Sequence, residues 1–164
     1  MKREGRAAAA LSALPTLPSL PIDSSLFFKL VRVVNLTARP FVETLSKTHQ
    51  LSLNEWRVMI VLANHPGVAA RDVVDMTGLD KMSVSRALGL LARHRRLKKT
   101  PDAEDARRTL LWLNAAGMRL YRTIGQPAAA RESLLFGGVT PAEIGQLNRT
   151  IDKLIEALSE PEKA

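Results

Sequence analysis

Between residues 24 and 48, apolar positions recur every three or four residues: Leu26, Phe27, Leu30, Val31 and Val34, then Phe41, Val42 and Leu45. That period predicts helix, and Pro40 within it predicts a kink or two consecutive helices. Ser52-Leu53-Asn54-Glu55 then forms a capping box, in which Ser and Glu three residues apart satisfy each other's backbone amides and start a helix. The inward face of this helix is expected to be Trp56, Met59, Ile60 and Ala63, and it should end at His65-Pro66-Gly67. From Val68 a short helix carries Val73, Val74 and Met76 to Gly78, where freedom at positive φ suits a sharp turn. Asp80 with Ser83 caps the next helix, whose apolar face is Val84, Ala87, Leu88 and Leu91. The opposite face holds Met82, Arg86, Gly89 and Arg93, with Lys81 and Ser85 at its N-terminal end.

Two strand-like segments follow, about Leu97–Thr100 and Thr109–Leu113, and the loop between them contains Asp102, Asp105, Arg107 and Arg108. Asp105 is expected to pair with a neighbouring arginine and set its direction. Asn114 caps a further helix through Met118, Leu120, Tyr121 and Ile124, which should be interrupted at Gly125-Gln126-Pro127. The last helix has the firmest signal: Thr140-Pro141-Ala142-Glu143 combines a capping box with proline at the first helical position. Behind it Ile144, Leu147, Ile151, Leu154 and Leu158 form a narrow, coiled-coil-like seam. The order helix, turn, helix, β-hairpin is that of a winged helix-turn-helix. The fold expected is mainly α with a small β-wing, completed by a helical dimerisation layer drawn from both chain ends.

Charge sharpens this picture. The 164 residues carry 24 Lys+Arg against 16 Asp+Glu, a net charge of +8. Nine basic residues and three acidic ones lie between Lys81 and Arg108, so most of the excess sits on the suspected reading segment. Such a concentration suits a polyanion, and nucleic acid is the common one. A helix of this polarity after a short turn can lie in a major groove, and the loop arginines suit the negative potential of the adjacent minor groove. The run Arg95-Arg96-Leu97-Lys98-Lys99 reads equally as a solvated turn and as a phosphate-contacting edge. Apolar residues make up 46% of the chain and aromatic ones 4%, so aliphatic side chains must build the core.

The absence of cysteine removes disulfides, thiolate metal sites and thiol-based sensing, and accords with a reducing cytoplasm. No apolar run approaches the ~20 residues of a membrane helix. His49, His65 and His94 lack metal-ligand spacing, and no nucleophile elbow or phosphate loop announces an enzyme, so neither a metal nor another cofactor is expected. Residues 1–23, with Lys2, Arg3 and Arg6 ahead of a short Ala/Leu run broken by Pro15, Pro18 and Pro21, read as a flexible arm rather than a signal peptide.

In combination these motifs resemble the MarR family of transcriptional regulators. The residues that carry the resemblance are the capping box with Glu55-Trp56-Arg57, the stretch Leu79-Asp80-Lys81-Met82-Ser83-Val84-Ser85-Arg86, and the loop pattern Asp102, Asp105, Arg107, Arg108. Leu113-Asn114-Ala115-Ala116-Gly117 follows where the family usually has Leu-Thr-x-x-Gly. The resemblance spans about residues 26–160 and implies a homodimer that binds a pseudo-palindrome and blocks transcription, with no catalytic role. It implies a DNA-reading set of Lys81, Met82, Ser83, Ser85, Arg86, Arg93, Lys99, Asp105, Arg107 and Arg108. Among these Arg107 would enter the minor groove, oriented by Asp105, and Arg108 and Lys99 would meet phosphates. Residues 52–114 would be the winged module, and 24–51 with 115–160 the dimerisation region. A small aromatic acid often releases such dimers from DNA, and here Arg39, Phe41, His49 and Trp56 would form its site. Ala69-Ala70 stands where the family often places a Ser or Thr phosphate contact, a departure that puts that contact in doubt. The alternative function is a winged helix serving as an architectural or protein-interaction module without an effector.

Overall fold

The computed structural model describes residues 25–159, without the side chains of Pro40 and Phe41, and divides after Thr48 into two units. The arm expected over residues 1–23 lies outside the described residues. In the first unit Ser25 accepts the Phe28 amide at 3.2 Å and starts helix α1, Leu26–His49. This helix is continuous through Pro40, so the expectation of two consecutive helices is corrected. A proline deletes one amide donor, and a helix extending more than two turns on either side keeps the rest of its ladder. Leu26, Phe27, Leu30, Val33, Val34 and Leu36 are all exposed on it.

The second unit is built around helix α2, Leu53–Asn64. Both halves of its capping box form: Ser52 Oγ accepts the Glu55 amide at 3.2 Å, and Glu55 Oε2 accepts the Ser52 amide at 2.8 Å. The expected inward face is only half right. Trp56 and Met59 are buried, but Ile60 is exposed, while Val58, Val61 and Leu62 are buried as well. The reason is that α2 is packed against several elements at once. Its neighbours are helices α3 (Ala70–Thr77), α4 (Lys81–Arg93) and α5 (Ala115–Phe136), and strand β3 (Thr109–Leu113). A helix enclosed in this way has no single apolar stripe to read.

Val68–Ala69 is strand β1, not the start of a helix, and α3 begins only at Ala70. β1 pairs antiparallel with β3, and β3 in turn with β2, Leu97–Pro101, giving the order β1-β3-β2. Two residues are too few to show alternation, so β1 had no sequence signal. Gly78, at φ 65°, ends α3 and donates its amide to Val74. From α4, Val84, Ala87, Leu88 and Leu91 enter the core as the spacing requires, beside Val73 of α3 and Leu111 of β3.

Asn114 caps α5 by accepting the Gly117 amide at 3.0 Å. The interruption expected at Gly125-Gln126-Pro127 does not occur, since α5 runs unbroken from Ala115 to Phe136 with Pro127 inside it. Strong helix formers at Ala128-Ala129-Ala130 resume the ladder directly after the proline. Helix α6, Pro141–Ser159, opens on its own capping box, Thr140 with Glu143. Within the single chain its seam is covered only in part: Ile144 and Ile151 are half-buried, and Leu147, Leu154 and Leu158 are 40%, 44% and 86% exposed.

Candidate nucleic-acid interface

Two surfaces of the second unit bear the residues singled out by charge. The first is the outer face of α4. Asp80 caps it by accepting the Ser83 amide at 2.8 Å and the Ser83 hydroxyl at 2.6 Å. Those bonds hold the exposed Asp80 carboxyl below its ordinary value, the hydroxyl bond contributing most. With the folded value depressed, this capping contribution is complete above the usual carboxylate range and is lost as pH falls through the lowered value. The cap also commits the Ser83 proton, leaving its oxygen free only to accept. Lys81, Met82, Ser85, Arg86 and Arg93 are all exposed. Arg86 Nε reaches back to the Met82 carbonyl at 3.5 Å, a long contact that leaves the rest of the guanidinium outward.

The second surface is the hairpin loop between β2 and β3. Asp102 and Asp105 each fold the loop locally: Asp102 Oδ1 accepts the Glu104 amide at 3.0 Å and Asp105 Oδ1 the Arg107 amide at 2.9 Å. The Asp102 and Arg108 backbones close the loop, amide to carbonyl, at 3.0 Å. Asp105 therefore sets the course of the chain at Arg107 through the backbone, where a side-chain ion pair was expected. Among the described contacts it is Arg108 whose guanidinium is paired: Nη2 lies 3.3 Å from Asp72 of α3 and Nε 3.9 Å from Asp102. Asp72 Oδ2 also accepts the Ala69 amide at 2.8 Å, so one carboxylate joins β1, α3 and the root of the wing. Sequence reasoning gave Arg108 to phosphates and missed this strut, because its partners lie 36 residues apart. Arg107 is left exposed at the tip and Lys99 exposed on β2.

Arg96 of the basic run makes a contact that neither reading of the run included. Its guanidinium donates to the carbonyls of His49, at 2.7 Å, and Gln50, at 3.4 Å. It thus satisfies acceptors at the end of a helix, where carbonyls lack intrahelical donors. Lys98 turns to the other face of the hairpin, with Nζ 5.5 Å from the centre of the Trp112 ring.

The four residues named for an effector are distributed over both units. Arg39 is exposed on α1, and the side chain of Phe41 lies outside the described residues. In the second unit His49 is half-buried, and Trp56 is 6% exposed with its ring stacked on Tyr121, centroids 5.5 Å apart. Tyr121, read from the sequence only as an apolar helix position, is thereby an aromatic partner of Trp56. No group of three or more potential metal ligands is found among the described residues. None of the described helices is long and apolar enough to cross a membrane.

The comparisons agree with this geometry. Residues 49–108 match the model of the MarR family. A MarR/EmrR family transcriptional regulator from Acinetobacter sp. ADP1 superposes with a TM-score of 0.76 at 25% identity, over 84% of this chain and 96% of that one. The PcaV transcriptional regulator of Streptomyces coelicolor, solved with its natural ligand, gives 0.72 at 21% identity over 87% and 100%. MepR of S. aureus, solved in complex with DNA, gives 0.72 at 17% identity over 84% and 99%. No curated protein matches the sequence.

Proposed function

We propose that this chain, whose residues 49–108 match the MarR-family model and whose fold is that of solved MarR-family regulators, is a winged helix-turn-helix DNA-binding regulator and acts as a homodimeric repressor on a pseudo-palindromic operator. The observation that carries this reading is the pairing of exposed Arg86 and Arg93 on α4 with exposed Arg107 at the hairpin tip of the same module. Two copies of that pair, held by a layer formed from residues 24–51 and 115–160, would read half-sites about one turn, ~10 bp, or a small multiple apart. The exposed apolar residues of α1 and α6 support the layer, since an isolated chain gains nothing by showing them to water.

Met82, Ser85, Arg86 and Arg93 then face the major groove, with Ser83 as an acceptor, while Arg107 enters the minor groove and Lys81 and Lys99 meet phosphates. Arg86→Ala should relax base preference at one position and cost ~1–3 kcal/mol of operator affinity. Lys99→Ala should weaken all duplexes alike and reduce the salt slope by about one. Footprinting and salt titrations on both variants check this, and equal losses of specificity would contradict the assignment. The architectural alternative predicts salt-sensitive coating of any duplex in place of a discrete protected site.

The effector in this reading is a small aromatic acid, which needs a cation or donor for its carboxylate and an apolar slot for its ring, and Arg39 and His49 are the candidates for the first of these. Release follows if the acid binds better to a dimer whose reading heads no longer match the operator spacing. In a thermal-shift screen of aromatic acids, one or more should raise the melting temperature of the free protein and displace it from operator. Unchanged responses in both Arg39→Ala and His49→Ala would remove these residues from the site.

A further inference from the structure

Helix α4 carries a glycine that its own fold does not require. Gly89 is exposed in ordinary helical conformation near the middle of Lys81–Arg93, and a Cβ added there would meet nothing within 4 Å. Glycine inside a helix is less stable than alanine, so the position weakens the helix with no return inside the chain. At 100° per residue Gly89 falls between Ser85, one turn before, and Arg93, one turn after, on the face turned away from the core. The row of side chains on the outer face has a gap of bare backbone at that point.

The gap opens into a groove of about 800 Å³ between α3, α4 and the sheet, with Val74, Val84, Leu88 and Leu111 as its apolar part. Lys81 and Ser85 line it from α4, Lys99 and Thr109 from the strands, and Arg71 and Asp75 from α3. Three cations therefore face it against one carboxylate. When a helix occupies a major groove and the adjoining hairpin tip a minor groove, one sugar–phosphate strand must pass between them, because a single strand separates the two grooves. The structure has its cation-rimmed groove beside α4, on the side of the strands that lead to the hairpin tip.

We propose that this groove seats the intervening sugar–phosphate strand, and that Gly89 is the clearance that lets the strand lie against the α4 backbone. The inference deepens the DNA-reading function and rests on it. Gly89 is then a positioning residue that acts by lacking a side chain, while Lys81, Lys99 and Arg71 neutralise the phosphates on either side.

The test uses the full chain with Gly89→Ala and Gly89→Leu. Melting temperature is measured alongside affinity for a duplex selected from a random library by the unsubstituted protein and for an unrelated duplex. Gly89→Ala should raise the melting temperature by roughly 3 °C through helix propensity, yet weaken binding to both duplexes by about tenfold, the equivalent of one good contact. Gly89→Leu should weaken both further. Unchanged affinity in Gly89→Ala would overturn the proposal, and so would a fall in its melting temperature, which would give Gly89 a packing role inside the chain. A loss confined to the selected duplex would place a base edge there instead of a strand, and would also overturn it. If the unsubstituted chain binds no duplex at all, the DNA-reading function itself fails, a result seen before any substitution is made.

Discussion

The double variant Leu154→Glu, Leu158→Glu is expected to be a folded monomer with little operator affinity. Both leucines lie on the α6 seam and are 44% and 86% exposed in the single chain, so carboxylates at those positions cost the isolated fold almost nothing. In the proposed dimer the same positions are covered. Burying a leucine fully contributes ~1.5–3 kcal/mol, whereas each buried, unpaired carboxylate costs several kcal/mol. Two substitutions per chain place four such groups in one interface, so the dissociation constant should rise by a factor of about 10³ or more. Loss of the dimer turns binding at the second half-site from an intramolecular event into an independent one, and operator affinity should fall by about 10²–10⁴. Sedimentation and far-UV circular dichroism separate dissociation from unfolding. A variant that remains dimeric and protects its operator would exclude α6 from the dimer layer.

Gly117→Ala should be the most damaging single methyl in the winged module. Gly117 is buried in the first turn of α5, and a Cβ there would be driven into the Arg96 carbonyl and the Leu113 side chain. The Arg96 carbonyl has no room to yield, because it accepts the Asn114 amide at 3.1 Å while Asn114 Nδ2 donates to the Arg95 carbonyl at 2.8 Å. Arg95 at this corner already holds a positive φ of 54° without being glycine. Overpacking a rigid site costs ~1–3 kcal/mol, and a clash with backbone belongs at the upper end. Alanine recovers up to ~1 kcal/mol of helix propensity, leaving a net loss of about 2 kcal/mol and a melting temperature lower by roughly 5–10 °C. Thermal unfolding of the full chain checks this. An unchanged midpoint would mean that the corner is looser than its hydrogen bonds indicate. Gly89 and Gly117, both inside helices, thus predict opposite signs for the same substitution, a contrast that propensity alone does not contain.

What the sequence determined by itself is what neighbours in the chain decide among themselves. Capping at Ser52, Asp80, Asn114 and Thr140 involves residues three apart, and the glycine turn at Gly78 and the inward face of α4 obey local geometry and a fixed period. The hairpin was legible for the same reason, and so was the excess of arginine and lysine on one short segment. The structure departed wherever the deciding contact lay far along the chain. Arg108 is drawn to Asp72 and Arg96 to His49, over 36 and 47 residues, and no local pattern records either pairing. The two-residue strand β1 exists only because β3 arrives beside it. Ile60 is exposed and Val58 buried because α2 is enclosed by several elements, which erases the stripe that periodicity looks for. The helices continue through Pro40 and Pro127 because a single missing donor is outweighed by the ladder on either side. Local energies are written in adjacent letters; which distant charge or surface a side chain meets is decided only when the chain closes on itself.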